Sequence, residues 1–141
     1  MDSEFRELNT REKGLVERLL NAAPHSRDEL RTQLNHIRAE QIDVDGTLRL
    51  QCLDGVPSKY YTPVAEGVCK DADGADIDVI LHLRKGGFMS MLEIIKYDGS
   101  QIINPPSAEN LALNSVPQIQ VLGPGNYRRV SPGAPPLTPN K

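Results

Sequence analysis

The chain has 141 residues, of which 38% are apolar and 25% charged, the composition of about one globular domain with one modest core. A formal net charge of −3 leaves no overall basic field for a phosphate backbone, so no nucleic-acid partner is expected. No run approaches the roughly 18 apolar residues of a spanning helix, and "MDSEFRELNTREKG" is acidic where a secretion signal opens basic and turns apolar; a cytoplasmic protein with no membrane partner is the expectation.

Helical period comes first along the chain. In "LNTREKGLVERLLNAAP" Leu15, Val16, Leu19 and Leu20 fall on one stripe, Asn9 or Thr10 can cap, and Pro24 follows the end, which predicts a helix over about 10–22. Ser26, Arg27, Asp28 and Glu29 read as the Ser-x-x-Glu capping box of a second helix, whose buried stripe would be Leu30, Leu34 and Ile37. His25 precedes that cap and His36 lies near the helix end, and neither has a second ligand at metal spacing. Helices this short gain their stability by lying on a sheet.

From about residue 38 the period changes to two, and the pattern predicts four hairpins. In the first, a three-residue loop of Val44, Asp45 and Gly46 sets Ile42 opposite Leu48. In the second, Asp73-Gly74 is the turn, so Val68 faces Val79 and Val64 faces Leu83. A Gly86-Gly87 turn then pairs Leu81 with Leu92 and Val79 with Ile94, and an Asp98-Gly99 turn pairs Ile94 with Ile103 and Ile95 with Ile102. The expected architecture is α+β: two N-terminal helices packed on an antiparallel β-meander of about six strands, forming a single domain over residues 1–113.

If the helices cover the face of Val68, Val79, Leu81, Leu92 and Ile94, the opposite face displays Asp78, Ile80, His82, Met91, Glu93, Ile95 and Tyr97. Ile80, Met91 and Ile95 form a small apolar patch there, the mark of a dimer contact, a binding groove or a place where the chain folds back. His82 and Glu93 are near-diagonal neighbours, which makes an acid and base pair geometrically conceivable, but no Ser or Cys nucleophile is placed beside them. Tyr60 and Tyr61 read as closing the core edge.

The remaining motifs are few. "DADGADID" over 71–78 suggests a calcium loop, but begun at Asp71 it has Ala75, Asp76 and His82 where the loop needs a ligand, a glycine and a glutamate, so it reads as a turn in which Asp71 faces Asp76. Cys52 and Cys69 lack CxxC spacing and read as small strand thiols. Phosphate, dinucleotide, zincin and hydrolase motifs are missing, and no cofactor or metal is expected. Residues 41–83 hold eight acids and three bases, whereas 105–141 hold one acid, three bases and eight of the eleven prolines. Residues 114–141 therefore read as an extended, largely disordered Pro/Gly-rich tail, with "LALNSVPQIQVL" before Gly123 open to a strand or a groove.

Taken in order, "FRELNTREKGLVERLL", "RDELRTQLNHIRAEQIDVDGTLRLQ" and "DVILHLRKGGFMSMLEIIKYDGSQI" resemble a group of small bacterial proteins of unknown function, over about residues 5–113. The resemblance implies one bacterial cytosolic α+β domain and brings no catalytic residues to carry over. The functional expectation is a non-enzymatic interaction or accessory domain, immunity-like by analogy of class alone, whose partner is a protein or a second copy of the chain. The alternative is a small-molecule-binding domain or weak enzyme with a pocket near His82 and Glu93.

Overall fold

The computed structural model describes residues 5–24, 26–58, 65–114, 118–124 and 126–130; the expectations for His25, Tyr60, Tyr61, Val64 and residues 131–141 lie outside these. The first helix, α1 (Thr10–Leu20), starts where Asn9 accepts the Glu12 N–H at 2.8 Å and Glu12 accepts the Asn9 N–H at 2.9 Å. This reciprocal pair satisfies two donors that a helix start leaves open. The capping box is therefore here and not at Ser26, which begins α2 (Arg27–Leu34) by its backbone with no side-chain bond to the first turn. Ile37, expected on the stripe of α2, is instead the first residue of β2 (Ile37–Gln41), because the His36 N–H turns back to the Gln33 carbonyl and ends the helix.

Both helices cover one face of a seven-stranded antiparallel sheet, so the α+β class and the antiparallel pairing hold. The strands are β1 (Arg6–Glu7), β2, β3 (Leu48–Cys52), β4 (Ala65–Lys70), β5 (Asp76–Leu83), β6 (Met89–Lys96) and β7 (Ala112–Asn114), in the order β1-β2-β3-β6-β5-β4-β7. A separate two-stranded hairpin pairs β8 (Gln118–Gly123) with β9 (Asn126–Val130). The core lies between α1, α2 and the inward residues of the sheet: Leu15, Leu19, Leu20 and Leu30 from the helices meet Leu48, Ile77, Leu81 and Leu92 from the strands, all without exposed surface. Each such side chain contributes roughly 1.5–3 kcal/mol relative to exposure.

The hairpin registers differ from the pattern by small, explicable steps. Gln41, not Ile42, opposes Leu48, because Asp43 accepts the N–H groups of Asp45 and Thr47 and lengthens the loop to four residues; Ile42 and Val44 are left exposed. The Thr47 hydroxyl then accepts the Ile94 N–H and donates to the Ile94 carbonyl, joining β3 to β6. In the second hairpin Asp71 pairs with Ala75 around Ala72, Asp73 and Gly74, so Val79 faces Gly67 and Val68 faces Asp78. Val68 consequently turns to the other face. A side chain at Gly67 would overlap Leu111, which lies 2.6 Å from where its Cβ would be; the strand has a gap there, and Leu111 fills it.

The third hairpin keeps the predicted pairs Leu81–Leu92 and Val79–Ile94, with a bulge after His82 and a loop of Lys85, Gly86 and Gly87. The fourth hairpin is not present: β6 has β3 as its neighbour, with Leu48 opposite Leu92 and Arg49 opposite Met91. Residues 97–111 instead cross the end of the sheet to reach β7 beside β4.

Candidate functional site

The sheet face away from the helices is built by alternation along β5 and β6, where Asp78 pairs with Ile95, Ile80 with Glu93, and His82 with Met91. Opposed positions thus carry one apolar and one polar residue, giving a checkerboard in which Ile80 lies diagonally between Ile95 and Met91. The polar squares bond to one another. His82 Nε2 and Glu93 Oε1 are 2.9 Å apart, and the Tyr97 hydroxyl donates to Asp78. The Asp78 carboxylate, as hydrogen-bond acceptor and as neighbouring charge, raises the Tyr97 pKa. All six expected site residues, Ile80, His82, Met91, Glu93, Ile95 and Tyr97, share this face; five are half-buried and Tyr97 is exposed.

Acids surround the checkerboard. On β4 to β6 this face carries Glu66, Asp76, Asp78 and Glu93 against a single lysine, Lys70, which bonds to Asp76 at 2.7 Å. Toward β2 the character changes, since Glu40 is held by Arg49 at 2.7 Å. Two clefts, one bordered by β1, α2 and the start of β2 and the other along α1, lie elsewhere and include neither His82 nor Glu93.

The acidic loop "DADGADID" has a different explanation from the one its sequence suggests. Asp71 does not face Asp76 but is buried, and its carboxylate accepts the N–H groups of Ala72, Ile103 and Asn104 at 2.7–2.8 Å. Lys96, whose side chain is 1% exposed, places its ammonium 2.9 Å from Asp71 and 2.7 Å from Asp73, and donates to the Gln101 carbonyl. Burial alone would raise the Asp71 pKa; the Ile103 N–H, Lys96 and two further N–H groups overcome it and hold the carboxyl well below its usual range. The bonds to Asp73 and Asp71 likewise push Lys96 above its usual value. The cation of this loop is supplied by the chain itself, and its task is to tie residues 101–104 to the β4–β5 turn. One signal was in the sequence: Lys96 occupies an inward position in the alternation of β6.

A second polar residue inside the core went unsingled as well. Gln33, fully buried on α2, donates to the carbonyls of Val56 and Gly87 and accepts the Met89 N–H, all at 2.9–3.0 Å. It lies between Leu30 and Leu34 on the apolar stripe, where a glutamine is out of pattern. Cys52 and Cys69 are free thiols on strands, and burial raises both pKa values.

No helix among the described residues is long and apolar enough to cross a membrane. No curated protein and no solved structure matches the chain. The model of a domain of unknown function, DUF6984, matches residues 5–106, which hold both helices, strands β1 to β6 and the His82–Glu93 and Tyr97–Asp78 pairs, and the chain belongs to that family.

Proposed function

We propose that this domain is a non-enzymatic interaction module that binds a protein partner through the open sheet face. The supporting observation is the checkerboard itself: Ile80, Met91 and Ile95 remain partly exposed, while the polar groups between them already bond across the strands. A face prepared in this way loses little hydrogen bonding when water leaves it, so apolar burial can drive association. The carboxylates of Glu66, Asp76, Asp78 and Glu93 around it call for a partner surface that mixes apolar and basic side chains. An immunity-like antidote acting on a basic toxin is one partner relation of this type, and a second copy of the chain is another where it offers a surface other than this acidic face.

The test compares the full chain with an Ile80→Asp/Ile95→Lys variant in affinity capture and in light scattering. The reading requires a partner, or a dimer, that the full chain retains, the variant loses and added salt weakens. A monomer that retains nothing, or a partner held equally by both proteins, ends it. The alternative, chemistry at the His82–Glu93 pair, rests on their 2.9 Å contact; it requires a ligand-dependent change in the His82 ring signals that disappears in Glu93→Gln.

A further inference from the structure

The cleft at the β1 edge of the sheet has a construction of its own. It measures about 290 Å³, close to the lower end of small-molecule sites at roughly 300 Å³. Leu8 and Leu53 give it apolar walls, with Leu34 and Ile37 almost wholly buried behind them, and Leu53 stays 63% exposed at the lip, with no described residue covering it. Lys13, His36 and Arg38 stand around these walls, with Glu7 as the single acid. A neighbouring cleft of about 260 Å³ shares Leu8 and Lys13 and continues along α1 past Thr10 and Gly14 to Glu17.

Among the described residues some bases are ion-paired and others, such as Arg27, Arg31 and Lys85, are not; the bases at this cleft belong to the second group but stand together. Arg6 is bonded to Glu12, Arg49 to Glu40, Lys70 to Asp76, and Lys96 to Asp71 and Asp73. Lys13 and His36 form no ion pair or side-chain hydrogen bond with any described residue. Arg38 stands opposite Glu7 across β1 and β2, yet its guanidinium donates to the Phe5 carbonyl at 3.3 Å and makes no ion pair with Glu7. In a chain of net charge −3, Lys13 and Arg38 outnumber the one carboxylate of this cleft, Glu7, and leave it locally positive beside the apolar lip. The walls are also fixed in advance. The Leu53 N–H donates to the His36 carbonyl at 2.9 Å, and the bonds of Arg6 and Asn9 to Glu12 hold the opposite wall. A preformed site loses little entropy on binding.

We infer that this cleft binds a small organic anion, a carboxylate carrying a short apolar body. The carboxylate meets Arg38 and Lys13, whose donors it can take at charge-assisted strength, and the body lies on Leu8 and Leu53. Neither an inorganic anion nor a neutral chain uses both halves of the site.

Hexanoate, hexanol and inorganic phosphate, titrated separately into the full-length protein and followed by amide NMR signals, test this. Hexanoate is expected to shift Leu8, Lys13, His36, Arg38 and Leu53 together and to saturate, with hexanol and phosphate at least about tenfold weaker, as the loss of one charge-assisted contact implies. Lys13→Glu, at an exposed helix position, should weaken hexanoate by a similar factor while leaving the thermal transition in place, and Arg38→Gln should do the same. Shifts centred on other residues overturn the assignment. So do equal binding of hexanol, equal binding of phosphate, or undiminished affinity in Lys13→Glu. None of these outcomes depends on the open sheet face, so the two proposals stand or fall separately.

Discussion

A lysine on the inward side of a strand, with 1% of its side chain exposed, persists only because Asp71 and Asp73 sit against its ammonium. Removing one member of such a group leaves the other buried without its partner, which is worse than removing both. Lys96→Met is therefore expected to lower the melting temperature by on the order of ten degrees, with Lys96→Met/Asp71→Asn recovering part of the loss, both read by thermal unfolding. The same group sets a pH dependence. The Asp71 carboxyl, ordinarily at 3.8, titrates lower in the folded chain, so its stabilisation is complete above that value and is lost as pH falls below it. Lys96, ordinarily at 10.5, titrates higher when folded, so its stabilisation is complete below that value and is lost only as pH rises past it. Urea midpoints should hold through neutral pH and fall on acidification below about pH 4, and the fall should be shallower in Asp71→Asn; equal slopes would remove Asp71 from this role.

At the scale of elements, alternation and turn residues were enough to place α1, α2 and the β5–β6 pairing, because each follows from residues within about a dozen positions of one another. The outcome at β6 depended on distant residues. Leu48 and Leu50 on one segment and Ile102 and Ile103 on another both offer apolar partners to β6, and periodicity does not choose between them. Two polar contacts choose: Thr47 bonds to Ile94 from the β3 side, and Asp71 takes the N–H groups of Ile103 and Asn104 away from any ladder. The open-face residues were legible because they lie within that one secure hairpin, whereas the cleft was not, because four separate elements contribute to it. Turn glycines give a direct test of the elements. Gly74 has a positive φ of 85° and nothing within 4 Å of an added Cβ, so Gly74→Ala should cost only the left-handed penalty of roughly 1–2 kcal/mol. Gly87 adds to a φ of 88° the Ser58 carbonyl 2.1 Å from where its Cβ would be, so Gly87→Ala should cost clearly more, about 3 kcal/mol or above, in urea unfolding.

For the whole molecule, the crossing segment 97–111 determines how the parts stay together. It is fastened by Asp71 at Ile103 and Asn104, by Arg11 at the Pro106 carbonyl, by Arg18 at the Leu111 carbonyl, and by Leu111 in the gap over Gly67. These fastenings are local contacts along a segment with no ladder of its own before β7, whereas β5 and β6, eight residues each, share a ladder of seven pairs and a common core. Native-state hydrogen exchange should show residues 101–111 opening at lower free energy than residues 79–94, and Leu111→Ala should bring the two further apart; simultaneous exchange of both regions would show the strap to be part of the central unit. Every anchor of the strap precedes it in the chain, so its closure has a place in time as well as in space. During synthesis β4 gains β5 as a neighbour about 30 residues before β7 is made, given that β5 ends at Leu83 and β7 begins its pairing at Ala112. Over that interval the outer edge of β4 is unpaired, a template on which another nascent copy can add a strand, and the segment from Gly99 to Asn114 is what ends the exposure.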